Sequence, residues 1–167
     1  MLKLIFVSLL LVGCGRVGFK YKDSPFIEPE LNVYVYEFEE TYNAQVPFDV
    51  VIEDIEDPNV AGRCIISNKT YKAIIDKDFF ETNKKNYWSI HQVVFHELGH
   101  CYFFLDHNNN LNNDTYPVSI MYGYVFGYTS YYKDNIDYYK NSLVDNRAMP
   151  LNSVTHNCEV HDEQTSL

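Results

Sequence analysis

The chain has 167 residues, with 13 lysines and arginines against 23 aspartates and glutamates, for a formal charge of −10. That length suits one domain built round one hydrophobic core. The acidic balance argues against a nucleic-acid binder, because a surface of this sign repels phosphates.

Residues 1–13 hold a single cation, Lys3, then the apolar run Leu4 to Val12, then Gly13 and Cys14. The run is too short to span a bilayer and reads as a secretory signal. Leu11-Val12-Gly13-Cys14 matches the bacterial lipobox, in which cleavage before the cysteine is coupled to its acylation. Cys14 is therefore the expected lipidation site, and residues 14–28, with Gly15, Gly18 and Pro25, the tether. The expected location is the bacterial cell envelope. By resemblance to sorted lipoproteins, Gly15 in place of an aspartate after the cysteine implies the outer membrane if the cell is Gram-negative. Removing residues 1–13 would delete one lysine and no acid, leaving a more acidic body anchored by acyl chains.

The expected globular domain is 29–149, followed by a polar C-terminal tail, 150–167. From Pro29 to Ala44, Leu31, Val35, Phe38 and Tyr42 recur at helical spacing and predict a helix packed behind a sheet, although the tyrosines would also suit a strand. Pro47 ends that element, and Phe48 to Glu53 reads as a strand. After an acidic loop with Pro58, Arg63–Ser67 and Tyr71–Asp76 flank Asn68-Lys69-Thr70 and predict a β-hairpin. Residues 77–86 read as a polar lead into a helix that begins near Tyr87. Trp88 and His91 near its start read as packing and surface residues.

That helix carries the chemistry, in the run Val94 to His107. Residues four apart lie one above the other on a helix, so His96 and His100 aim at one point. Glu97 stands about 100° round, beside that point, where a carboxylate can take a proton from metal-activated water. Ile90, Val94, Leu98, Cys101 and Leu105 fall within about 80° of one another and predict the buried stripe, with the histidines off it. A hydrolytic zinc ion needs a third protein ligand and leaves its fourth position to water. His107 and Asp106 are the candidates.

Downstream, Asn108 to Asp114 is a turn-rich polar loop. Asp106, Asn108 and Asn110 alternate as in a calcium loop, but Leu111 and Pro117 stand where its glycine and glutamate belong. Val125 to Thr129, aromatic and glycine-containing, is placed on the substrate side. Tyr131 to Val144 predicts a last helix with Ile136, Tyr139 and Leu143 on one stripe. His156, Cys158 and His161 have a spacing that suits a second metal, but a polar tail rich in such residues is the commoner case.

The run HELGHCYFFLDH, taken with Ser119-Ile120-Met121, resembles the zinc-binding signature and Met-turn of metzincin metallopeptidases. Ala61-Gly62-Arg63-Cys64, HELGHC, His107 and Tyr138-Tyr139 resemble matrixin-like bacterial lipoproteins, and Asp106 stands where snapalysin-like members place an aspartate ligand. The resemblance covers about residues 45–145. It implies a small α+β catalytic domain with a short, mostly antiparallel sheet packed on an active-site helix, a Met-turn and a C-terminal helix. It also implies zinc as cofactor, Glu97 as general base, Met121 as an apolar floor, and a peptide or protein as substrate. In such folds an edge strand binds extended peptide through its main chain, and the hairpin is the candidate edge.

Two positions depart from the family pattern. The turn glycine after the helix is Phe103 here, and bulky residues rarely take positive φ. One extra residue before His107 supplies slack, which favours His107 as the third ligand, with Asp106 as neighbour or alternative. A tyrosine found two residues after the methionine in some members is Gly123 here, so no oxyanion-steadying tyrosine is assigned.

Cys101 lies in the buried stripe, better placed to bond a strand than the metal, and Cys64 on the hairpin is its first candidate partner. Cys158 is the other option, and the remaining alternative is that both cysteines are simple core residues. The expected activity is zinc-dependent endopeptidase, acting as a monomer. The rival is a non-catalytic zinc-containing surface lipoprotein, acting as a binding or assembly module.

Overall fold

The structure is a computed structural model that describes residues 24–67, 70–145 and 156–159. The expected signal segment, residues 14–23 of the tether with Cys14 among them, the turn residues Asn68 and Lys69, and most of the tail, His161 included, lie outside the described residues. The elements are α1 (Asn32–Tyr42, led in by a 3-10 turn at Pro29–Leu31), β1 (Asp49–Glu53), β2 (Val60–Ser67), β3 (Thr70–Asp76), α2 (Lys77–Asn83), α3 (Tyr87–Phe103), α4 (Thr129–Asp134), α5 (Ile136–Asp145) and β4 (His156–Glu159). This is an α+β arrangement. No described helix is long and apolar enough to cross a membrane.

The sheet runs β1-β3-β2-β4. The expected hairpin forms, with Gly62 opposite Ile75 and Cys64 opposite Ala73 in antiparallel register. β1 joins β3 in parallel and β4 joins β2 antiparallel, so two of the three pairings are antiparallel, as expected. Two expectations about the sheet need correction. β2 begins at Val60, three residues early, and part of the polar tail is itself a strand.

Helix α3 is the centre of the molecule. Every residue from Ser89 to Cys101 is buried, so the expected single stripe is replaced by burial on all faces. The sheet covers one side through β2 and β3, α1 a second, and α4 a third. The ridge of α1 packs chiefly on α3, not on the sheet: Phe38 meets Phe95 edge-on at 5.4 Å between ring centres and Tyr102 at 5.8 Å. Asn86 caps the start of α3 by accepting from the Ser89 amide at 3.4 Å.

Residues 77–86, expected as a polar lead, instead contain a helix. Asp76 accepts from the Phe79 amide at 2.8 Å and caps α2, which buries Phe79 and Phe80. Two phenylalanines were too few to make a period, but an aspartate ahead of them is a start signal. The last helix is divided at Asn135 into α4 and α5, whose buried face carries Tyr139 and Leu143 as expected.

His91 is a further correction, since it is wholly buried and not at the surface. Its ring stacks on Phe95 at 4.0 Å, Nδ1 lies 2.8 Å from the Tyr132 hydroxyl, and Nε2 lies 3.3 Å from Glu37 Oε1. Lys140 donates to the same Glu37 oxygen at 2.6 Å, and the Tyr87 hydroxyl donates to the other. One carboxylate thus ties α1, α3 and α5 together. Burial holds the His91 pKa below its ordinary value, partly offset by Glu37, while contacts with His91, Lys140 and Tyr87 hold Glu37 low.

Cys64 and Cys101 form a disulfide, with Cα atoms 5.6 Å apart, joining β2 to α3. Closing a loop across a separation of 37 residues is worth about 4 kcal/mol in the chain-entropy account. Urea unfolding of the metal-free double variant Cys64→Ala/Cys101→Ala is expected to show a loss of roughly 2–4 kcal/mol against wild type. A loss below about 0.5 kcal/mol would count against a structural role for the bond.

Acid should act through His91. As pH falls through about 6.5 the unfolded chain takes up a proton that folded His91 resists, so stability present above that pH declines below it. Glu37 adds its own loss only below its ordinary pKa of 4.5. Between pH 8 and 5.5 the urea midpoint of the metal-free chain should fall more steeply in wild type than in His91→Gln. Equal slopes would show that folded His91 takes up its proton as readily as the unfolded chain does.

Candidate metal centre

The described residues contain one group of three or more histidine, cysteine or acidic side chains able to hold a metal: His96, His100 and His107, whose donor atoms all lie within 4.8 Å of one another. His96 and His100 come from successive turns of α3, as their spacing predicted. Their rings are oriented from behind by backbone carbonyls. His96 Nδ1 lies 2.8 Å from the Ile120 oxygen, and His100 Nδ1 lies 2.5 Å from the Leu105 oxygen. A carbonyl can only accept, so each Nδ1 carries the proton and each Nε2 is left with a lone pair.

Those lone pairs converge. His96 Nε2 lies 2.9 Å from His100 Nε2 and 3.2 Å from His107 Nε2. Two acceptors at such distances repel unless a cation lies between them. A tetrahedral ion with bonds of about 2.0–2.1 Å would set its donors roughly 3.3 Å apart, close to the spacing here. The donor set therefore fits a divalent metal with a preference for imidazole.

The turn that delivers His107 explains the Phe103 departure. α3 runs through Phe103, and the left-handed residue is the next one, Phe104, at φ 59° and ψ 44°. The left-handed turn thus falls one residue after Phe103, and His107 joins the histidine cluster beyond it. A left-handed non-glycine costs on the order of 1–2 kcal/mol, and Phe104 packs on Tyr71 at 5.5 Å between ring centres. Beyond it, Leu105 turns its carbonyl to His100 and buries its side chain. Asp106 is not part of the three-residue group.

Beneath the histidines lies the Ser119–Tyr122 turn, locked by Ser142 of α5. Ser142 Oγ accepts from the Ile120 amide at 3.1 Å and from Ser119 Oγ at 3.2 Å, and donates to the Tyr139 carbonyl at 2.7 Å. Ser119 Oγ in turn accepts from the Met121 amide at 3.1 Å. Since Ile120 supplies the carbonyl that orients His96, α5 reaches the metal centre through this turn. Met121 is fully buried, and a Cβ on Gly99 would lie 2.5 Å from its sulfur, so the glycine of HELGH admits the methionine under the helix. Tyr138 and Tyr139 donate to the Val118 and Pro117 carbonyls at 2.9 and 2.8 Å, holding the segment ahead of the turn.

Glu97 is fully buried beside the cluster, under β2. A Cβ on Gly62 would lie 2.8 Å from its Cγ and Oε1, so only glycine lets the strand cross there. Both carboxylate oxygens lack a hydrogen-bond partner among the described residues. Burial pushes the Glu97 pKa well above its ordinary range, opposed by the Arg63 charge and the Cys64 amide. Gly62, Arg63 and Ser142 were not assigned roles from sequence. A glycine inside a strand pattern was the available signal for the first; the other two have none.

A cavity of about 310 Å³ adjoins this centre, lined by Leu111, Tyr116, Tyr122, Tyr124, Phe126 and Tyr131 among others. Tyr122 of the turn beneath the histidines lines it, and a Cβ on the next residue, Gly123, would lie 3.1 Å from His107 Nδ1. Of the 125–129 segment, Val125 to Tyr128 lie along this cavity. Set against known protein families, curated proteins and solved structures, the chain has no match.

Removing one of three ligands should weaken metal binding more than removal of a partner behind a ligand, which typically costs 10–100-fold. In competitive zinc titrations His107→Ala should therefore lose more than roughly 100-fold in affinity, while Asp106→Ala stays within about tenfold of wild type. The reverse order would move the third ligand to Asp106.

Proposed function

We propose that the chain is a zinc-dependent endopeptidase of metzincin type, held in the bacterial envelope by a lipid on Cys14. The observation that carries this reading is the junction of three converging imidazoles with a fully buried carboxylate that only the Arg63 charge and the Cys64 amide favour in its charged form. A structural zinc site usually takes four protein ligands and has no use for a buried acid beside it.

His96, His100 and His107 would hold the ion and leave one position facing the substrate. A bound zinc lowers the pKa of water to about 7 and polarises a carbonyl. Glu97 would take the proton of the attacking water and return it to the amine released when the C–N bond breaks. A cation beside Glu97 also favours its carboxylate form, countering the effect of burial. The carbonyls of Ile120 and Leu105 keep Nδ1 protonated on two ligands, which fixes their orientation and raises their basicity. The tyrosine-lined cavity beside Tyr122 is suited to an apolar side chain of the peptide.

The competing reading is a non-catalytic zinc lipoprotein that binds or assembles with a partner, which the complete burial of Glu97, His96 and His100 favours. Zinc content measured together with cleavage of an unfolded protein separates the two. Wild type is expected to bind one zinc and cleave. Glu97→Ala should keep the metal and lose roughly 10²–10⁴-fold in rate, the range for a general base. Zinc bound by both with no cleavage by either would favour the rival, and zinc bound by neither would remove the basis of both.

A further inference from the structure

Strand β2 has two edges. β3 pairs with one from Gly62 to Ser67. On the other, His156–Glu159 pairs antiparallel, with Asn157 opposite Arg63 and Cys158 opposite Gly62. These are the residues of β2 that cross Glu97. β4 also lies against α3. An extended peptide presented to Glu97 through main-chain hydrogen bonds would need this same stretch of edge.

The pairing has the marks of an exchangeable one. Among the described residues β4 pairs over four positions, and its register with β2 breaks between Val60 and Gly62. Along Ile65–Ser67, β2 has no β4 partner among the described residues. Ten residues of sequence separate Asp145 from His156. With β4 in place, Glu97, His96 and His100 have no exposed surface, although a general base must come within hydrogen-bond reach of the proton it takes.

We propose that His156–Glu159 is a resident peptide: it occupies in cis the β2 edge that a peptide substrate requires, and must leave before substrate can pair there. The proposal rests on the peptidase reading for its consequence, but the occupancy itself is testable without catalysis. Successive amides of a strand point to opposite edges, so Asn157→Pro together with Cys158→Pro removes whichever donor faces β2. Cys158→Ser keeps both amides and is the control.

In the full metal-free chain, hydrogen exchange of the Val60–Cys64 amides that face β4 should quicken roughly tenfold or more in the double-proline variant, as loss of a ladder bond implies. The Cys158→Ser control should exchange as wild type. A labelled peptide of residues 152–163 carrying Cys158→Ser should bind the double-proline variant, restore protection at Val60–Cys64, and bind wild type at least tenfold more weakly. With zinc, the variant should cleave an unfolded protein roughly tenfold faster than wild type, and the peptide should inhibit it competitively.

Unchanged protection at Val60–Cys64, or failure of the peptide to bind the variant, would overturn the proposal. So would cleavage that fails to rise although protection is lost. Should the variant melt with the whole chain, competition decides on wild type: an excess of the peptide must quicken exchange of the β4 amides, and no change overturns the proposal. If the peptide binds as expected but no form cleaves, the peptidase reading fails while occupancy of the edge stands.

Discussion

The arrangement depends on two backbone carbonyls, those of Ile120 and Leu105, pointing at the rear nitrogens of His96 and His100. Each carbonyl fixes a tautomer, and the tautomers turn lone pairs toward a common point where only a cation relieves the repulsion. The distant parts of the fold serve this geometry. The Ile120 carbonyl is set by a turn anchored to Ser142 of α5, and the Leu105 carbonyl by a helix end in which Phe104 accepts a left-handed conformation. Loss of either support would release a ring without touching a ligand.

The opposite side of the centre is built by close approach. β2 crosses Glu97 so tightly that position 62 has no room for a side chain, and the Cys64–Cys101 bond pins that strand to the ligand-bearing helix. The acid is thereby shut away from water, with Arg63 and the Cys64 amide as the groups that favour its charge. A buried carboxylate without hydrogen bonds costs stability. Such a cost is expected where chemistry, and not packing, sets the residue.

A partly buried acid, Glu37, shows the contrast. Glu37 is satisfied by Lys140 and Tyr87 and lies against His91, and the group serves to bring three helices together round α3. Both clusters are polar islands against the same helix. In one the carboxylate accepts from Lys140 and Tyr87; in the other both carboxylate oxygens lack a hydrogen-bond partner among the described residues. That difference separates a structural cluster from a candidate reactive one.

Local spacing alone determined that His96, Glu97 and His100 share one helix and that the hairpin follows β1, because helical and strand periods are properties of neighbouring residues. The pairing of Cys64 with Cys101 and the preference for His107 were legible as candidates but rested on contacts between segments. α2 escaped notice because two phenylalanines make no period, and His91 was misplaced because α3 is enclosed on all sides, which no single helix can announce. The roles of Gly62 and Ser142, the shift of the turn to Phe104 and the docking of His156–Glu159 on β2 were decided only by tertiary structure. Each depends on which atoms of remote segments meet, and hydrogen bonding and steric contact carry that information in space, not along the chain.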